Sequence, residues 1–228
     1  MKLRVQSSVT IGGSLRLKHI FSKQHHWAAR YFSEEADRIE NSNMKLSEKK
    51  LDARKHRAYV TGAILSAVAA LEASINELYL EAQDRNKNTL SGLNDSELSA
   101  LVNKWTTVKC SNKRFERLFI LDKYQEALKS VNKKEFKTGE YPYQDAASLI
   151  YLRNALVHYK PEWDDEANVH STIKARLKGK FRLNTFSDMN SLWFPHQCLG
   201  AGCAKWSVDV IELFMSEFCK VIGIPNRF

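Results

Sequence analysis

No proline occurs before position 142, and residues 49–84 place Val60, Ile64, Val68, Leu71, Ile75 and Leu78 at three- and four-residue steps. That spacing lines all six along one helical face. At 1.5 Å rise per residue such a helix would run roughly 54 Å, long enough to cross a whole domain of this size. The stripe widens over 63–75, which predicts burial on most sides there. The polar turns before it, EKKLDARKHR, are predicted to face solvent. Shorter helices are predicted over 24–40, from Asn94-Asp95-Ser96 to near Trp105, and over 113–131, 143–159 and 203–222. In 113–131 the inward residues are Phe115, Leu118, Phe119, Tyr124 and Leu128. Residues 2–17, around Gly12-Gly13, read as a hairpin or extended arm. Residues 169–183 fit both a strand alternation and a helix, and a helix ending near Gly179 is preferred. The chain is therefore expected to be all-α. It reads as one domain over 1–228, with its helical core at about 49–160.

Charge is unevenly spread. The chain carries a net +9, yet residues 1–33 hold six basic and no acidic side chains, and residues 167–187 hold five basic and none acidic. Lys174, Arg176, Lys178, Lys180 and Arg182 form the second group. They suit an RNA backbone, with Phe181 placed to stack, or they form a solvated face. The apolar stretch 63–73 contains Ser66 and Glu72 and is shorter than a bilayer span, so no membrane partner is expected. The N-terminus lacks an apolar targeting segment, and four cysteines make no disulfide framework. A reducing, cytoplasmic location follows as the expectation.

Chemistry concentrates in Tyr151-Leu-Arg-Asn-Ala-Leu-Val-His-Tyr159. Arg153, Asn154 and His158 interrupt a helix otherwise rich in Leu and Ala. Asn154 and His158 are four apart and would stack one turn above the other. Arg153 can swing to the same rim. An imidazole moves protons near neutral pH, and a guanidinium stabilises charge growing on phosphate oxygens. Together they meet the needs of phosphodiester cleavage without a metal. A surface Arg and a His at a helix end would give the same spacing.

An R-N-x-x-x-H element late in an all-α domain resembles the HEPN superfamily. That resemblance implies a metal-independent endoribonuclease of toxin–antitoxin or antiphage type, with no cofactor. It implies a homodimer in which two motifs face each other across a cleft, and an antitoxin or operon partner. The implied reaction is attack by the RNA 2′-hydroxyl on its own phosphate, leaving a 2′,3′-cyclic end. Arg153 would stabilise the phosphate, His158 would act as acid/base, and Asn154 would orient it. A polar residue from an earlier helix often supports the Arg in such sites, and Glu72 is the candidate here. Some members are non-catalytic binding modules. A wider stretch, RNALVHYKPEW followed by CLGAGCAKW, is similar to a set of bacterial proteins of unassigned activity.

Other features carry open readings. Glu72 and Asn76 share a face of the long helix, where a carboxylate needs a partner such as Arg153 or a place on the rim. Cys198 and Cys203, with His196 nearby, could hold zinc, although their spacing is wider than the usual pair. Gly200-Ala-Gly202 opens a helix and could either hold a phosphate or pack tightly on the core. Glu162, Asp164, Asp165 and Glu166 read as a solvated acidic loop. No phosphate loop, dinucleotide fingerprint or H-E-x-x-H motif is present.

Overall fold

The structure is a computed structural model that describes residues 18–42, 46–107, 109–110, 113–115, 118–160 and 170–228. It is all-α. The helices are α1 (Ser22–Glu40), α2 (Leu46–Gln83), α3 (Asp95–Thr107), α4 (Ile120–Ser130), α5 (Tyr143–Val157), α6 (Ser171–Leu177) and α7 (Ala201–Ile222). A two-residue antiparallel ladder sets Lys109 opposite Arg114 and Cys110 opposite Lys113. The hairpin expected over 2–17 and the acidic loop at 162–166 lie outside the described residues.

Helix α2 is the axis of the fold. Helices α1 and α7 pack along it and on each other, α3 and α4 cover its C-terminal half, and α5 fits against α2 and α7. Val60, Ala63, Ile64, Ala67, Val68, Leu71, Ile75, Leu78 and Tyr79 are all buried, as their spacing requires. Gly62 lets α1 approach closely: a Cβ there would lie 2.9 Å from the Phe32 ring. By length and composition Asp52–Gln83 could cross a membrane, and half of its most apolar stretch is buried within the fold.

Polar groups are placed where helix ends need them. Helix α1 starts at Phe21, which offers no side-chain cap. Glu77 of α2 supplies one: its carboxylate accepts the Phe21 N–H at 2.8 Å, the Ser22 N–H at 2.9 Å and the Ser22 hydroxyl at 2.5 Å. Asn94, one of the three cap residues the sequence offered, caps helix α3 in a box with Glu97, the two exchanging bonds of 3.0 and 2.8 Å. Arg227 closes the C-terminal end onto α2, making a two-bond pair with Glu81 at 2.9 and 3.0 Å.

Three expectations need correction. Helix α4 begins at Ile120, not 113, because Phe119 is extended at ψ 148°. Phe115 packs into a ring cluster with Tyr79 and Trp105, whereas Phe119 is 81% exposed instead of inward. Phe181 is part of the packing, 5.3 Å from the Trp206 ring, and is not a free stacking surface.

Candidate functional site

Helix α5 is apolar nearly all round, so its few polar residues mark where it meets an opening. Its Arg153 and Asn154 line a groove of about 480 Å³, together with Glu72 from α2. The groove wall comprises Leu118, Phe119, Ile120, Tyr143, Ala147 and Ile150, with Asp122 at its edge. Arg153 and Glu72 are half-buried and Asn154 is exposed. Three of the four residues expected to be catalytic, Glu72, Arg153 and Asn154, thus line one groove. Glu72 and Arg153 share the groove without closing to an ion pair among the described residues, which leaves both side chains free for a ligand. Burial, aided by Asp122, pushes the Tyr143 phenol up, so it stays a neutral hydrogen-bonding group on the wall.

His158 is placed differently from the expectation. Helix α5 ends at Val157, and His158 is its C-cap, with its backbone N–H on the Asn154 carbonyl at 2.9 Å. Its side chain is exposed and does not line the groove. No side-chain hydrogen bond from Asn154 orients it among the described residues. The chain beyond is held by rings: Tyr159 lies 5.7 Å from His170, which meets Phe194 edge-on at 5.1 Å.

The five basic residues near α6 divide. Arg176 lies over the Tyr151 ring at 4.5 Å, and Lys180 pairs with Asp145 at 2.5 Å, so both tie this segment to α5. Arg182 reaches Asp37 at 3.4 Å and Glu40 at 3.5 Å. Lys174 and Lys178 point into solvent. The stripe expected from alternation is therefore partly consumed by internal pairing. Asn76 also has its own partner, the buried Lys123 ammonium at 2.9 Å.

The start of α7 resolves the Gly200–Gly202 alternatives in favour of packing. A Cβ at Gly200 would lie 2.5 Å from the Asn184 Cα, and one at Gly202 would lie 2.4 Å from the Arg182 carbonyl oxygen. The Ala201 N–H is occupied by the Glu40 carboxylate at 2.6 Å. Gly202→Ala is accordingly expected to cost about 1–3 kcal/mol through overpacking, read as a lower denaturation midpoint. A midpoint equal to wild type would show that the 182–184 segment gives way freely. Cys198 and Cys203 are buried thiols, and burial together with Cys198 pushes the Cys203 thiol far up. Among the described residues no group of three His, Cys, Asp or Glu is arranged to hold a metal.

One cluster escaped the sequence reading. His56 lies in the EKKLDARKHR turns assigned to solvent, yet it is 1% exposed. Its Nε2 meets the fully buried Glu40 carboxylate at 2.8 Å, and the Phe186 ring packs edge-on at 5.0 Å. Glu40 also accepts the Thr185 N–H at 3.3 Å. A small cavity beside His56 is bounded by Arg57 and His196, which are 3.2 Å apart. Burial and the Arg57 charge hold His196 below its ordinary value, so it faces Arg57 as a neutral acceptor. The signal was available: His56 continues the Val60, Ile64 stripe one turn back.

Comparison with family models, with curated proteins and with solved structures found no match.

Proposed function

We propose that the chain is a metal-independent endoribonuclease of HEPN-like type, working as a homodimer in a toxin or antiphage role. The observation that carries this reading is the open groove lined by Glu72, Arg153 and Asn154, whose side chains have no partner among the described residues. A half-buried guanidinium left unpaired is a ready partner for a phosphate, and a bidentate one would be held in register for attack. Arg153 binds the scissile phosphate and offsets its growing charge. His158, exposed at the end of the same helix, moves the proton. Glu72 lines the same groove and positions the guanidinium by closing on it when the strand binds. The strand enters along the groove, with Tyr143 and Phe119 available to bases.

The test is cleavage of single-stranded RNA in EDTA, against the same strand with 2′-deoxy sugars. RNA products ending in 2′,3′-cyclic phosphate, with the deoxy strand intact, support the reading. A strand cut equally well in both forms would rule out attack by the 2′-hydroxyl.

A second reading is a non-catalytic module that binds RNA or a partner protein. It is favoured by the position of His158 outside the groove and by the largely apolar wall with Phe119 exposed. Groove-dependent binding without any cutting would select it.

A further inference from the structure

Helix α1 carries an aromatic surface that the core does not use. Trp27 and Tyr31, one turn apart, are 60% and 41% exposed. Their rings stack at 5.5 Å with only 7° between planes. Below them Phe32 tilts against Tyr31 at 5.9 Å and against Tyr59 at 6.0 Å, so the pair is fixed to the body of the protein. A shallow pocket of about 290 Å³ borders the rings, with His26, Arg30 and Glu34.

Exposing a large ring costs burial worth roughly 2–3 kcal/mol, so a rigid stacked pair in water needs a partner to explain it. The surrounding charge indicates which kind. Residues 1–33 contain Lys2, Arg4, Arg16, Lys18, Lys23 and Arg30 and no acid. Three of these have described side chains. Lys23 is exposed one turn before Trp27, Arg30 is exposed and approaches Glu212 only at 4.0 Å, and Lys18 pairs with Asp84. Glu34 is the one carboxylate lining the pocket, and Glu212 also holds His26 at 2.7 Å. A flat ring face with the exposed Lys23 and Arg30 beside it, in a segment that has no acid before Glu34, matches an unpaired nucleobase flanked by phosphates. A protein partner would need no such excess of positive charge, and a duplex keeps its base faces stacked away from the ring.

We infer that Trp27 and Tyr31 form a stacking platform for single-stranded nucleic acid, separate from the Glu72–Arg153 groove. Helices α2 and α7 intervene between α1 and α5. The platform holds a strand, and it rests on the ribonuclease reading only for the identity of the natural strand.

The test uses full-length protein and a labelled 12-nucleotide 2′-deoxy strand, which 2′-hydroxyl chemistry cannot cut, read by fluorescence anisotropy at low salt. Wild type is expected to bind. Trp27→Ala is expected to weaken binding by about 5- to 150-fold, the range of one base–aromatic stack. Trp27→Phe should retain most of the affinity, and Trp27→Ala should cost the same factor in an Arg153→Ala background, because the two sites are separate. The matching duplex should bind far more weakly. Failure of wild type to bind, or wild-type affinity in Trp27→Ala, overturns the inference. So does a self-association of the protein that Trp27→Ala abolishes, since a second copy would then be the occupant. RNA cut at full rate by Trp27→Ala, with undiminished affinity, would remove the platform and leave the ribonuclease reading intact. Binding of the deoxy strand by a protein that cuts no RNA would do the reverse.

Discussion

His158→Ala is expected to lower RNA cleavage by about 10²- to 10⁴-fold, the range of a single positioned general acid or base. Arg153→Ala is expected to lose about 10²- to 10³-fold, the range of one removed transition-state donor. Neither change should disturb the fold. His158 is exposed and Arg153 makes no ion pair among the described residues, so unfolding free energies should stay within about 0.5 kcal/mol of wild type. Arg153→Lys keeps the charge and loses the planar fork, and it should recover only part of the rate. Glu72→Gln separates positioning from chemistry. If Glu72 aims the guanidinium, the variant should weaken substrate saturation and rate together without altering the RNA ends. Full activity in His158→Ala would end its assignment as the proton carrier, whatever Arg153 does.

Glu40→Ala should have the largest effect on stability, a loss of about 3–5 kcal/mol. Its carboxylate is fully buried and serves His56, the Ala201 N–H and the Thr185 N–H at once. Removing it strands two buried donors, at His56 and Ala201, and a part-buried one at Thr185, and each unsatisfied buried donor is costly. The Arg182 contact at 3.5 Å is half-exposed and adds little. Glu40→Gln keeps an acceptor and should lose less. The pH dependence has a definite sign. Burial pushes the Glu40 carboxyl up, but the bonds from His56, Ala201 and Thr185 outweigh it, and the group lies below its ordinary value of 4.5. The charged form is therefore favoured in the fold, and its contribution is complete above about pH 4.5. It is lost as pH falls through the lower folded value. The gap between wild type and Glu40→Gln, measured by urea denaturation, should shrink in that acidic range. A Glu40→Ala midpoint matching wild type would show that the cluster is not a clasp.

Helix periodicity was legible because it is local. The α2 stripe, the cap at Asn94 and the break at Pro142 each depend on residues within one or two turns. The start of α4 was not legible, since Phe115 and Phe119 have helical spacing and only the Tyr79 and Trp105 rings draw Phe115 elsewhere. Arg153 and Asn154 could be singled out because polar side chains interrupt an otherwise apolar helix, and Glu72 because a carboxylate in an apolar helix stripe needs a partner or a rim; the groove they line was not legible. The position of His158 was missed because the helix ends at Val157, two residues before the expected 159. The Glu40–His56 pair was hidden by the charged neighbours of His56 and by partners distant in sequence: Thr185 lies 145 positions from Glu40, and Ala201 lies 161.

That distance has a consequence for synthesis. Glu40 leaves the ribosome long before Ala201, and at about 5–20 residues per second the interval is roughly 8 to 32 seconds. During it, α1 and α2 can pair with each other, but the carboxylate between them has no amide from α7 to receive. The nascent chain holds a charged group at a future core position, which keeps that end hydrated and slow to collapse. Closure is then timed by the last helix to be made. A pause in translation between 160 and 200 would lengthen the open interval, and a chaperone acting on this protein would meet it there.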